Sequence, residues 1–227
     1  MGIAVFCDFD ETITRSNVTD TVLERFADPL WLRIQDDWLA GRLSARKVLQ
    51  DQMPLVRVSQ EELDAFIDTV EVDPFFAEFA RYCAGAGHSL YILSDGFDYW
   101  IHRILGRALE ARHGIRAGVS VYACGLELRA NRFEISFPYF PEGCRHGCAT
   151  CKPGLFRRLK GSAEATVIVG DGRSDQLLAK AADVVIAKNG LRDYCEGEGI
   201  ANHSFKDFSD VQRIVDDFKE KARVNPT

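Results

Sequence analysis

Residues 3–14 read IAVFCDFDETIT. Residues 3–8 form a short run of apolar residues closing on Asp8, with no polar alternation and no helical flanks. That is the pattern of a strand buried on both faces of a parallel sheet. The run gives way at once to acids. Asp8 and Asp10 lie two apart, so an extended backbone sends both side chains to one side and Phe9 to the other. Two carboxylates aimed at one spot repel each other and resist burial unless a proton, a cation or a partner offsets them. Taken alone, the pair reads equally well as a capped loop.

The same grammar recurs downstream. SLYIL (89–93) stops at Ser94-Asp95-Gly96, and TVIV (166–169) stops at Gly170-Asp171-Gly172, within GDGRSD. VVIA (184–187) makes a fourth strand, and residues 119–138 read as short strands with a hairpin. Helical segments separate them. One starts at Asp73-Pro74 and stops at Gly85; one carries Phe97, Ile101, Leu105 and Leu109 on a stripe. A short one opens at Lys152-Pro153, and others cover 174–182 and 207–221. This alternation predicts an α/β fold, a Rossmann-like parallel sheet with helices on both faces. Ligands in such folds bind beyond the carboxyl ends of the strands, where the three polar clusters fall.

Residues 17–72 break the alternation. Val18, Val22 and Phe26 recur every four positions; Asp28-Pro29 reads as an N-cap with proline at the first helical position, leading into Leu30, Ile34 and Trp38. Ser44 caps a third helix, and Ser59 with Glu62 forms a capping box before a fourth. With no strand among them, residues 15–72 are expected to form an inserted α-helical cap domain on a core made of 1–14 and 73–227.

The 227 residues suit such a core with an insertion, and 46% hydrophobic with 27% charged residues is ordinary for a soluble globular protein. A net charge of −6 argues against nucleic acid or an acidic membrane as a partner. No secretory signal and no bilayer-length apolar run is present, and seven cysteines, an odd number, fit reduced thiols in the cytoplasm better than a disulfide scaffold.

Asp171 and Asp175 again follow a strand, and Gly170 and Gly172 let the backbone turn tightly there. Several carboxylates without His or Cys among them favour a hard cation, magnesium above others. Ser94 and Gly96 offer a hydroxyl and backbone N–H groups at an expected helix start, a ready anion site. Lys152 opens a helix, where its charge opposes the local dipole and hints at an anionic partner.

In chain order these pieces, DFDET, SDG, Lys152 and GDGRSD, resemble the four motifs of the haloacid dehalogenase-like phosphohydrolases, over about residues 3–190. The helical insertion resembles the cap of the phosphoserine-phosphatase-like branch. Within it, DFDETIT, SDGFD, CATCKPG and GDGRSD look most like the methionine-salvage phosphatases acting on 2-hydroxy-3-keto-5-methylthiopentenyl-1-phosphate, and also like phosphocholine and phosphoethanolamine phosphatases. Glu11 stands where the methionine-salvage enzymes often have Gly.

The resemblance implies a magnesium-dependent phosphatase for a small phosphorylated metabolite. Asp8 would be the nucleophile and Asp10 the general acid and base. Ser94, Gly96 and Lys152 would bind phosphate. Asp8, Asp171 and the Asp10 carbonyl would hold the metal, oriented by Asp175. An acid at position 10 favours a phosphatase over a dehalogenase, which has no alkoxide to protonate. Phosphotransfer to a second substrate is the alternative chemistry. Cys144, Cys148 and Cys151, with His146, read either as a Cys3His zinc site or as free thiols beside Lys152.

Overall fold

The computed structural model describes residues 2–110, 118–141, 144 and 147–224. Its sheet has seven strands: β1 (Ile3–Cys7), β2 (Ser89–Phe97), β3 (Val119–Arg129), β4 (Arg132–Ser136), β5 (Ala165–Gly170), β6 (Val184–Ala187) and β7 (His203–Ser204), in the order β4-β3-β2-β1-β5-β6-β7. All neighbours are parallel except the β3–β4 hairpin at one edge.

The period of two divides β1 between two cores. Ile3, Val5 and Cys7 face one, which α5 (Phe76–Gly85), α6 (Asp98–Glu110) and α10 (Phe208–Val224) cover. Ala4 and Phe6 face the other, under α7 (Lys152–Leu159), α8 (Gln176–Ala179) and α9 (Asn189–Glu198). Burial on both faces is why the strand reads as a continuous apolar run. The register places Cys7 opposite Ile92 and Val169, so the three central strands run out side by side. Among the described residues no helix is long and apolar enough to cross a membrane.

Residues 18–67 form four helices, α1 (Val18–Phe26), α2 (Trp31–Leu39), α3 (Ala45–Gln52) and α4 (Gln60–Ile67), with a 3-10 turn at Met53–Leu55. Ser44 accepts from the Lys47 N–H, and Ser59 and Glu62 form the expected reciprocal box. Asp28 differs from expectation. Its carboxylate accepts from the Leu30 N–H and its carbonyl from the Trp31 N–H, so Asp28-Pro29 make a turn and the helix begins at Trp31. Two isolated antiparallel bridges, Thr14 with Val72 and Ala27 with Val56, pair backbone where no strand was expected.

Other differences have physical reasons. β2 continues past residue 93 to Phe97, with a register break between Leu93 and Phe97, so Ser94-Asp95-Gly96 lies in the strand's irregular end and α6 starts at Asp98. α9 escapes the sequence reading because it buries only Leu191 and Cys195, too thin a stripe to show a period, and it carries two glycines. The segment expected as a helix over 174–182 is a 3-10 turn, Arg173–Asp175, followed by the four-residue α8.

Glu11 is held at φ 55°, in the left-handed region. A side chain there costs about 1–2 kcal/mol, whereas glycine is unstrained but loses more chain entropy on folding. Glu11→Gly is therefore expected to raise stability by about 0.5–1 kcal/mol, read as a higher urea midpoint with an unchanged slope.

Candidate active site

The loops beyond β1, β2 and β5 converge with the start of α7. Asp8 prolongs β1, its N–H donating to the Val169 carbonyl at 2.9 Å. Its Oδ1 accepts from the Phe9 N–H at 2.7 Å and lies 2.8 Å from Lys152 Nζ. Lys152 is 1% exposed and also reaches Asp175 Oδ1 and Ser174 Oγ, each at 2.8 Å. All three ammonium protons thus have partners. Burial pulls the lysine down, but Asp175, Asp8 and Asp95 outweigh it and hold the ammonium well above the usual lysine range. The same carboxylates answer the unfavourable charge at the helix start.

Carboxylate oxygens of Asp8, Asp171 and Asp175 lie within 4.8 Å of one another, the one metal-ligating group of three found among the described residues. Burial, then the charge of Asp8, pushes Asp171 up to about 6 and Asp175 to about 8. Thr12 Oγ1 steadies Asp171 with a 3.0 Å hydrogen bond to Oδ1. One lysine cannot neutralise three acids in a site this dry. The surplus charge, presented wholly by oxygen, is what a hard divalent cation relieves.

Asp10 stands apart from that group. Its Oδ1 accepts from the Val18 N–H at the start of α1, at 2.7 Å, and Ser94 Oγ donates to its Oδ2 at 3.4 Å. Burial pushes this carboxyl up to about 7, against the Val18 hydrogen bond. β1 ends at Cys7 and the chain turns sharply through Glu11, yet Asp8 and Asp10 line one cavity. The Gly96 N–H donates to Ser94 Oγ at 2.9 Å, so here it is engaged within the loop and not free at a helix N-terminus.

A cavity of about 210 Å³ opens between these acids and the helices α1–α3. Three further polar residues lie inside the quoted motifs, where the sequence gives them no separate role: Thr12 on Asp171, Ser174 on Lys152, and Asp95, whose Oδ1 takes the Thr150 N–H at 2.6 Å and ties down the lead-in to Lys152.

A family model described as haloacid dehalogenase-like hydrolase matches residues 5–180, from β1 to just past α8. The chain belongs to the haloacid dehalogenase-like hydrolases. This hydrolase is 31% identical to the 2-hydroxy-3-keto-5-methylthiopentenyl-1-phosphate phosphatase of Brevibacillus brevis, over 97% of this chain and 98% of that one. It is also 31% identical to the bifunctional enzyme MtnB/MtnX of Bacillus licheniformis, over 95% of this chain, which spans half the length of that protein. Among solved structures, a substrate-bound phosphoserine phosphatase superposes with a TM-score of 0.71 at 17% identity, over 94% of this chain and 98% of that one, a likeness of fold.

In this haloacid dehalogenase-like hydrolase Gly96 has no room for a side chain. A Cβ there would sit 2.8 Å from Asp10 Oδ2 and 3.1 Å from Ser94 Oγ. Gly96→Ala is expected to displace the Asp10 carboxylate with little change in melting temperature and, with Asp10 in the general-acid role that the resemblance implies, to lower kcat by about 10²–10³-fold. Steady-state kinetics with thermal melts check it.

The thiol cluster flanks the lead-in to Lys152, and Cys148 lines a cavity with Asp95, Thr150 and Lys152. Cys144 Sγ lies 4.0 Å from Cys151 Sγ, all seven cysteines are free, and burial pushes the Cys148 thiol up to about 12. His146, the fourth residue of the zinc alternative, lies outside the described residues. Among those described, no metal-ligating group of three contains a cysteine.

Proposed function

We propose that this hydrolase is a magnesium-dependent phosphatase acting on a small-metabolite monoester through an aspartyl-phosphate at Asp8, with 2-hydroxy-3-keto-5-methylthiopentenyl-1-phosphate as its substrate. The observation that carries the reading is the convergence of Asp8, Asp171 and Asp175 around Lys152 at the end of the cavity. The substrate follows from relatives bearing that name, which match along nearly the whole of both chains.

Asp8 and Asp171 would hold the ion with the Asp10 carbonyl, and Asp175 would orient them through Lys152. A bound divalent ion screens the approach of one anion to another. An oxygen of Asp8 attacks phosphorus as the ester P–O bond breaks, and Asp10 gives its proton to the departing alkoxide. Asp10 then takes a proton from water, whose oxygen attacks phosphorus and frees Asp8 and inorganic phosphate. A carboxyl near 7 suits both turns of that exchange. Ser94, Lys152 and the Gly96 N–H would reorganise from their present partners to hold the phosphoryl oxygens. Residues 15–72 would act as a cap that excludes water. Free thiols suit a reducing compartment, the cytoplasm.

Phosphate release is the test. With magnesium, the named substrate is expected to reach a kcat/KM of about 10⁴ M⁻¹ s⁻¹ or more, well above phosphoserine and phosphocholine, and EDTA to abolish it. Preference for phosphoserine would overturn the substrate. No release from any monoester would overturn the phosphatase.

Magnesium should also alter stability with a defined sign. Asp171, Asp10 and Asp175 retain protons in the fold up to about 6, 7 and 8, whereas the unfolded chain gives them up near 3.8. The folded state thus binds more protons between those values, and metal-free stability falls as pH rises from about 4 to 8. Melts with and without magnesium are expected to show a much larger stabilisation at pH 8 than at pH 5.

A further inference from the structure

The cavity wall opposite the acids is apolar at Trp38, Val48 and Leu49, and two amides interrupt it, Gln35 of α2 and Gln52 of α3. Gln52 is 1% exposed. Its Nε2 donates to the Trp31 carbonyl at 3.4 Å and to Gln35 Oε1 at 2.9 Å. A backbone carbonyl only accepts, so it dictates which end of the Gln52 amide faces it. That end in turn dictates the orientation of Gln35. The Gln52 carbonyl oxygen and the Gln35 NH2 group take no part in these two bonds.

Both groups are open to a ligand at the cavity wall, where a hydroxyl would find an acceptor in Gln52 and a carbonyl a donor in Gln35. We propose that the Gln35–Gln52 pair is the recognition site for the leaving group, reading a hydroxyl and a carbonyl on neighbouring carbons. The hydroxyl donates to Gln52 and the carbonyl accepts from Gln35, while an apolar tail lies along Trp38, Val48 and Leu49. Neither amide carries charge, which suits a neutral leaving group. Glu11 and Asp20, which line the same cavity, disfavour a carboxylate. This inference rests on the phosphatase reading and adds to it the residues that select the leaving group.

The test compares kcat/KM for dihydroxyacetone phosphate, propyl phosphate and phosphoethanolamine, in the wild type, Gln35→Met and Gln52→Met, with p-nitrophenyl phosphate as a general phosphatase probe. Two hydrogen bonds of about tenfold each predict that the wild type favours the hydroxyketone ester over the propyl ester by about 100-fold. Each variant should reduce that ratio by about tenfold or more. Gln35 is half-buried at the cavity wall, so its variant carries the test if Gln52→Met does not fold. A wild type without the preference, variants that retain it, or a preference for phosphoethanolamine would each overturn the proposal. Failure to hydrolyse even p-nitrophenyl phosphate would instead overturn the phosphatase reading beneath it.

Discussion

Asp8→Asn is expected to lower kcat by about 10⁴-fold or more, because in the proposed reaction an amide cannot form the acyl phosphate that divides hydrolysis into two steps. The fold should survive. Asn keeps the shape of the side chain, and its carbonyl can still accept from the Phe9 N–H. The exchange loses an ion pair with Lys152 but removes one of three crowded acids, the one whose charge helps push up both Asp171 and Asp175. A melting temperature within a few degrees of wild type with turnover gone is the expected pair of results. Turnover above about 1% of wild type would place the nucleophile elsewhere.

Lys152→Met is expected to be the most destabilising single change in the site. It strands two carboxylates in a place where Lys152 and Asp175 are 1% and 2% exposed. Breaking one side of a buried pair costs about 3–5 kcal/mol, or about 10 °C in melting temperature for a chain of this size. The pH dependence has a direction as well. Lys152 holds Asp175 down, so without it Asp175 keeps its proton in the fold beyond about 8. The variant's stability then continues to fall where that of the wild type has levelled, and the gap should widen from pH 8 to 9. A gap that narrows over that interval would show that Asp175 is not the group left stranded.

Much of this molecule was legible in its residues. β1, β2 and β5 announce themselves because strands covered on both faces must be apolar throughout, and Ser44 and Ser59 announce helix starts because few residues satisfy those N–H groups. The strand ends also revealed which loops would meet. What they would do on meeting was hidden, because it depends on register. Nothing local says that Lys152 will engage three side chains at once, or that Asp10 will turn to the Val18 N–H. Glu11 conceals its backbone, since glutamate gives no hint of a positive φ. Gln35 and Gln52 look like the solvent faces of amphipathic helices until α2 and α3 are seen to pack face to face.

The strand order carries a consequence for how the chain is made. Of the seven strands β1 is made first, yet it lies in the middle of the sheet, with β2 on one side and β5 on the other. It can pair with β2 once residue 97 has emerged, but its second edge stays open until Ala165–Gly170 arrive. Throughout that interval an apolar strand exposes unsatisfied backbone to other nascent chains. Products truncated before residue 165 should therefore aggregate or recruit chaperones, while those ending beyond β6 should not.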